Sequence, residues 1–506
     1  MDEANADGEC CYFTVAIIGG GFAGATLAAQ MLRKSSGTVR VALIERGARV
    51  GRGVAYGTQC TQHLLNVPAK NMSAFPDDPE HFLRWARLHY LPGVGPGDFL
   101  PRQVYGEYVA FVLQQEIQLH PSRFRHVQGE AVSLTRKGGM TEICLRNGQS
   151  LSANKVVLAL GNFAAGDPRL PGRTPHSQRY ASNSWGPGAL SDVAQDKSVL
   201  LVGSGLTSVD VAMALRTKGF GGTIHILSRR GLLPRTHKMS SPWLPFWDET
   251  SPRTISGLLR LVRMQVEAAQ RQGSGWRAVI DCLRPFTQEI WSTLPRPEQR
   301  RFLRHVRPYW EVHRHRVAPE IGAWLTAQMR DGQIELHAGR IMEYNEDLHR
   351  VEVTYRDRGS RELMQLRVDR VFNCTGPEAD CRRIENALVT NLMRQKMVRP
   401  DQLFLGWDTS ENGALINAFG EASEFLYTLG PSRKGSLWET TAVPEIRRQV
   451  SELAGHLLAA GEGVDSGVLE MARAPRQSAP IRRPGFLPSA AVGHLADNPL
   501  NSSDVA

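Results

Sequence analysis

Residues 13–45 read FTVAIIGGGFAGATLAAQMLRKSSGTVRVALIE, and few folds accommodate such a stretch. An apolar run meets a glycine turn, an alanine-rich helix follows, and a second apolar run ends in an acid. Gly19, Gly21 and Gly24 form G-x-G-x-x-G directly after the first run. The three glycines allow a tight turn, close approach of the backbone to a pyrophosphate, and close helix–strand packing. N–H groups exposed at the helix start can then meet phosphate oxygens. Glu45 follows Gly24 by 21 residues, where a carboxylate accepts hydrogen bonds from both hydroxyls of an adenosine ribose. Strand, helix, strand and acid in register predict a dinucleotide-binding α/β unit.

The same plan recurs at SVLLVGSGLTSVDVAMALRTKGFGGTIHILSRRG. Gly203 and Gly205 match the first two glycines, and Ser208 stands in the third place. Counting 21 residues from Ser208 reaches Arg229, followed by Arg230. An arginine at that position suits a 2′-phosphate, and no acid competes for the ribose. The first site is therefore expected to take a plain adenosine ribose, and the second to take NADPH. Each copy ends in a comparable return strand, VVLALG reaching Gly161 and VFNCTG reaching Gly376.

The expected fold class is α/β, with two Rossmann-like domains, the second inserted in the first. Residues 1–195 and 371–474 are expected to make the first nucleotide-binding domain, and 196–370 the NADPH domain, which contains a helical insertion at 232–330. A tail at 475–506, rich in Pro, Ser and Ala, is expected to be disordered. Helices are expected at 80–89, 105–120 and 439–460. Strands are expected within 124–161, with a hairpin turn at Asn147-Gly148, and at 334–337, 341–344, 351–355 and 402–405. The glycine-rich loop after Glu45 is long enough to be functional and is a candidate to wrap a flavin.

Net charge is +10, from 60 basic and 50 acidic residues, which suits anionic small molecules and does not by itself require nucleic acid. The seven cysteines are scattered without a C-x-x-C pair, so a redox dithiol and a zinc ribbon are not expected. No apolar run approaches the ~18 residues of a membrane span. An acidic N-terminus runs straight into the first strand, so a cytoplasmic protein without a cleaved signal is expected. Homo-oligomerisation is left open by the sequence.

The insertion carries RRFLRHVRPYWEVHRHRVAPE. Within it Arg304, Arg307, His313, Arg314 and Arg316 are candidates for recognising a substrate carboxylate, since guanidinium pairs bidentately with carboxylate. On a strand His313 and His315 would share a face, but no third ligand lies nearby, so no metal site is expected. The tryptophans of the insertion are expected in the core.

With GGGFAG, ERGARVGRGVAYGT, HLLNVPAKNMSAFPDDP, PRQVYGEY, VGSGLTSVD, SRRGLLPRTH, NCTGP and GSLWETTAVPEIR added to that basic stretch, the chain resembles the bacterial FAD-NAD(P)-binding family of oxidoreductases. It is similar in plan to the flavin N-hydroxylating and Baeyer–Villiger-type monooxygenases, and to amino-acid N-oxygenases. The resemblance implies FAD on Gly19, Gly21, Gly24 and Glu45, with Gly376, Gly430, Trp438 and Thr440 near the flavin. It implies NADPH on Gly203, Gly205, Ser208, Arg229 and Arg230. The implied reaction passes oxygen from a peroxyflavin to a small nucleophile, for instance the amine of an amino acid, and requires molecular oxygen but no acid–base triad. The alternatives are a flavin reductase serving another acceptor and an NADPH-sensing binding protein. Many such flavoproteins place Gly-Asp at the end of the last return strand, whereas here Gly430 precedes Pro431.

Overall fold

The computed structural model describes residues 12–462, apart from 36, 38, 169, 173–176, 187, 194 and 195. Cys10, Cys11 and the expected tail at 475–506 lie outside the described residues. Among the described residues, fifteen strands form two sheets. They are β1 (Tyr12–Ile18), β2 (Val41–Glu45), β3 (Phe124–Gln128), β4 (Ala131–Lys137), β5 (Met140–Leu145), β6 (Ser150–Leu158), β7 (Tyr180–Ala181), β8 (Ser198–Val202), β9 (Thr223–Ser228), β10 (Ile334–Glu346), β11 (Val351–Asp357), β12 (Leu363–Val368), β13 (Arg370–Asn373), β14 (Ala414–Ile416) and β15 (Ala422–Thr428).

The first sheet runs β14-β15-β6-β1-β2-β3, with the β4–β5 hairpin attached to β6. Strands β15, β6, β1, β2 and β3 are mutually parallel, so both faces must be covered. Val15, Ile17 and Leu43 face the helices Phe22–Lys34, Arg102–Leu119 and Val443–Glu462. Ala16, Ile18 and Ile44 face the β4–β5 hairpin and the helix Ala387–Arg394. The near-continuous apolar sequence of β1 and β2 follows from that double burial. Asn147 and Gly148 make the turn between β5 and β6, with Gly148 at φ +87°.

The second sheet runs β12-β11-β10-β9-β8-β13-β7. Its centre repeats the first, since β8 lies between β9 and β13 as β1 lies between β2 and β6. The segments 334–337 and 341–344 are parts of one strand, β10, which bends at an irregularity between Ile341 and Glu343. This lets β10 pair parallel with β9 at its start and antiparallel with β11 at its end. Strand β12, not expected from the sequence, completes that antiparallel extension.

Three sequence expectations shift. Residues 402–405 form a turn rather than a strand, because the Asp401 carboxylate accepts from the N–H groups of Leu403 and Leu405 at 2.8 and 2.6 Å. The final helix starts at Val443 rather than 439. The boundaries at 195/196 and 370/371 both fall within the second sheet, because β7 and β8 flank β13, with Arg370 opposite Val199. The two chain crossings between sheets run side by side, joined by a bridge between Ala165 and Pro377. Gly166 permits this contact, since a Cβ there would overlap the Glu378 carboxylate. The insertion is helical throughout most of its length; Trp247 is buried in it, and Trp291 is buried where it packs on Trp438 and donates to the Gly435 carbonyl.

Candidate functional site

The two glycine turns have nearly the same backbone. Gly19 and Gly203 take φ +108° and +114°, a region that disfavours any side chain. A Cβ on Gly19 would overlap the Ala159 carbonyl, and one on Gly203 would overlap the Cys374 carbonyl. Ala159 and Cys374 each stand two residues before the glycine of their return strand, so the equivalence of Gly161 and Gly376 holds in three dimensions. Gly21 and Gly205 cap the following helices at φ −71°, ψ −166° and φ −83°, ψ −166°.

Neither helix start has a side-chain cap or an acid in its first turn. By contrast, Thr254 and Asn386 cap their helices with side-chain oxygens. The helix starts at Gly21 and Gly205 thus present backbone N–H groups that no acid of their own first turn satisfies. A Cβ built on Gly205 meets nothing within 4 Å, and one on Gly21 meets only the Gly53 Cα, at 3.6 Å. Such a cradle fits the pyrophosphate of a dinucleotide.

The third positions differ. A Cβ on Gly24 would collide with the Gly19 carbonyl oxygen, so the first helix is packed as closely as a helix can be. Ser208 is fully buried and turns its hydroxyl to the Gly205 carbonyl at 2.7 Å.

The strand ends also diverge. Glu45 accepts from the Gly20 and Gly47 N–H groups at 2.6 and 2.9 Å, and each oxygen keeps a lone pair for a ribose hydroxyl. Gly20 went unremarked in the sequence; a Cβ on it would stand 2.9 Å from the Glu45 Cβ. In the second turn Ser204 donates to the Ser228 hydroxyl at 2.7 Å or to the Leu232 carbonyl at 2.6 Å. Arg229 is exposed at the strand end. Arg230 instead turns to the insertion, reaching the Arg304 carbonyl at 3.5 Å and lying 5.1 Å from the Tyr309 ring centre.

The loop after Glu45 ties the two turns together. The Gly51 N–H donates to the Gly20 carbonyl at 2.7 Å. Further along, His63 places Nε2 2.8 Å from the Asp210 carbonyl, in the helix that the second turn opens. Arg102 grips the Asp210 carboxylate with two bonds of 2.7 and 3.0 Å. His237 closes the contact through Nε2 to the Asn66 carbonyl at 3.0 Å. None of His63, Arg102, Asp210 and His237 was singled out, although all lie in segments that carry the family resemblance.

At the end of β15, Gly430 takes φ +77° and is held by the Gln449 and Thr440 side chains at 3.0 and 2.8 Å. Trp438 has φ +59°, a strained value for a side chain of that size, and is buried against Trp291 and Phe302 with ring centres 5.0 Å away in each case. Gly376 stands at the crossing between sheets, at φ +93° with nothing within 4 Å of a built Cβ.

The basic stretch is helical and includes a π-type segment at Phe302–Val306, so His313 lies on a helix rather than a strand. Arg314 is buried and meets Glu439 and Glu445 at 3.6 and 3.4 Å. Arg316 is buried and paired with Asp281. Burial pushes the Glu439 carboxyl up, but Arg314, His315 and the Trp310 indole more than reverse this and hold it well below the usual range. Arg307 pairs with Glu311 at 2.8 Å, His313 donates from Nδ1 to the Tyr309 carbonyl at 2.7 Å, and Arg304 is exposed. The two acids facing Arg314 sit in GSLWETTAVPEIR, far enough away in sequence that charge spacing alone could not pair them.

Residues 16–163 match the model of a family described as FAD-NAD(P)-binding. That segment is similar to the FAD-NAD(P)-binding unit of that family. No curated protein sequence matches the chain. Among solved structures, the reduced ornithine hydroxylase of Pseudomonas aeruginosa is similar in fold, with a TM-score of 0.61 at 13% identity, covering 89% of this chain and 99% of that one. The cadaverine monooxygenase of Erwinia amylovora, solved with FAD, gives 0.60 at 13% identity over 88% and 94%. The ornithine N-hydroxylase of Kutzneria sp. 744 gives 0.59 at 12% identity over 89% and 100%. Among the described residues no helix is long and apolar enough to cross a membrane.

Proposed function

We propose that this chain is an FAD- and NADPH-dependent monooxygenase that oxygenates the amine nitrogen of a small, anionic substrate such as an amino acid. The observation that carries the reading is the pair of matching glycine turns with Glu45 on one and Arg229 on the other. One loop and one ion pair bind the two together. Support also comes from the solved structures of similar fold, which include hydroxylases of ornithine and a monooxygenase of cadaverine.

In this reading, flavin reduced by NADPH supplies the electrons for oxygen chemistry. The chain's residues bind and orient. Glu45 takes the adenosine ribose of FAD, the helix start at Gly21 takes its pyrophosphate, and Gly24 keeps that helix close. Gly376, Gly430 and Trp438 would lie near the flavin, and Thr440 would act through the Gly430 backbone that it holds. Gly203, Gly205 and Ser208 form the NADPH cradle, and Arg229, with Arg230 behind it, neutralises the 2′-phosphate. Arg304 and Arg307 meet the substrate's carboxylate, while Arg314 and Arg316 hold the segment in place, with His313 packed beside them. The apolar cluster around Trp291 and Trp438 limits water access.

The test is NADPH oxidation by FAD-loaded protein across amino acids and diamines, in air and under nitrogen, with ¹⁸O₂ labelling. Oxygenated product carrying one labelled atom per NADPH consumed supports the reading. NADPH turnover that proceeds equally without oxygen, on any other acceptor, overturns it in favour of a reductase.

A further inference from the structure

Three potential ligand atoms converge on one face of the second sheet, away from both glycine turns. His225 on β9 stands in register with Glu335 on β10, and His337 follows Glu335 by two positions, so all three share a face. The opposite face of these strands, carrying Ile224, Ile226 and Ile334, packs into the core with the helix Leu206–Thr217. The His225 Nδ1 lies 3.1 Å from the His337 Nε2 and 3.3 Å from the Glu335 Oε2. The third side of the triangle, from the His337 Nε2 to the same Glu335 oxygen, is 3.7 Å.

We infer that His225, Glu335 and His337 form a binding site for a zinc-class divalent cation, with the fourth position left to water. Ligand bonds of about 2.0–2.1 Å in a tetrahedron place donor atoms roughly 3.3–3.4 Å apart. The observed triangle has that size. A hydrogen-bonded histidine pair accounts for one of its sides but not for a carboxylate oxygen that faces both nitrogens. Two histidines and one glutamate are also a donor set that zinc accepts with an open position.

The surroundings supply what such a site needs. The Tyr355 hydroxyl lies 3.2 Å from the His337 Nδ1. When that nitrogen donates to the phenol oxygen, Nε2 is left bare and aimed at the cation. Gly339 makes this contact possible, since a Cβ there would overlap the Tyr355 ring. The histidine side chains are 13% and 17% exposed and Glu335 is 49% exposed, so the centre has fixed imidazoles and an entrance on the glutamate side. The cation would clamp β9 to β10 where the sheet turns from parallel to antiparallel pairing.

The experiment is titration of the untagged, chelator-treated full chain with Zn²⁺ by calorimetry, and with Co²⁺ by visible spectroscopy. The expected result is one equivalent bound, a raised Tm in Zn²⁺, and Co²⁺ ligand-field bands without a thiolate charge-transfer band. Glu335→Gln, at a half-exposed position that does not threaten folding, should weaken Zn²⁺ binding at least tenfold. His337→Asn should abolish the Co²⁺ bands, and Tyr355→Phe should keep the stoichiometry while weakening affinity about 10- to 100-fold. Absence of a stoichiometric site in the wild-type chain overturns the inference. So does unchanged affinity in Glu335→Gln, or a thiolate band in the Co²⁺ form.

Discussion

Arg102 and Asp210 lie 108 positions apart in sequence and meet through two hydrogen bonds of 2.7 and 3.0 Å. One belongs to a helix packed on the first sheet, the other to the helix that the second glycine turn opens. Their side chains are only 12% and 13% exposed, so the pair is screened little by solvent and fixes the two nucleotide-binding units against each other. Removing one partner strands a charge that has already lost its water. Asp210→Asn and Arg102→Gln are each expected to destabilise the protein in urea unfolding. The double variant should lose less than the sum, with a coupling of about 1–3 kcal/mol.

Gly24 and Gly205 make opposite demands on a methyl group. A Cβ at 24 overlaps the Gly19 carbonyl oxygen, while a Cβ at 205 has nothing within 4 Å. Gly24→Ala should therefore push the helix off the sheet, lower the Tm and abolish flavin retention together. Gly205→Ala should leave the Tm within a few degrees and the flavin in place, yet raise the KM for NADPH tenfold or more, because the methyl occupies the phosphate's approach. Thermal melts and flavin absorbance separate the two outcomes.

The nucleotide choice rests on one exposed side chain. The backbone bonds from the Gly19 N–H to Ile44 and from the Gly203 N–H to Leu227 put Ser228, the last residue of β9, in the place of Glu45, so Arg229 stands one position further on, where an arginine can still neutralise a 2′-phosphate. Arg229→Asp should reverse the preference for NADPH over NADH by at least tenfold in kcat/KM. Flavin content should not change. An unaltered preference would move the 2′-phosphate contact elsewhere, with Arg230 the next residue to substitute.

What the sequence disclosed here was local. The glycine turns and the return strands to Gly161 and Gly376 are legible because each depends on neighbours close in sequence. The equal spacing to Glu45 and Arg229 misses by one residue, because the second unit is one residue shorter between its turn and the end of β9. The pairing of Arg314 with Glu439 and Glu445 is not local, and a run of arginines looks the same whether it faces solvent or buried acids. Strand β12 was hidden for a related reason. Its residues LMQLRV do not alternate apolar with polar and are mostly exposed, so it owes its place to pairing with β11 rather than to apolar burial. Asp401 turns 402–405 away from a strand through side-chain bonds to backbone N–H groups, a competition that propensity does not register.

The arginines of the insertion should now divide by experiment. Arg314 is buried between two carboxylates, and although Glu445 keeps two bonds from Arg284, Arg314→Met takes from the buried Glu439 its main opposing charge and should cost about 3 kcal/mol of stability. Arg304 is exposed, and Arg304→Ala should leave the Tm unchanged while raising the KM for an anionic substrate. An Arg304→Ala enzyme with unaltered KM would remove that residue from the substrate site.

His237 gives the interface between the two units a defined acid sensitivity. Burial lowers its pKa from the ordinary 6.5 to about 4, and the charges of Arg316 and Arg314 act in the same direction. The Asn66 carbonyl, which accepts from Nε2, and the more distant Asp281 oppose the shift without reversing it. Between about 4 and 6.5 the unfolded chain therefore binds a proton that the folded chain refuses. Stability must rise with pH across that window and fall as the pH drops through it. The imidazole is partly screened, so its share is about 2–3 kcal/mol when the pH goes from 7 to 4. His237→Gln keeps a donor for the Asn66 carbonyl but cannot take up a proton. Its urea midpoint should be close to wild type at pH 4 and should depend less on pH from 4 to 7. If the two proteins show parallel pH profiles, the buried imidazole is not the group that titrates.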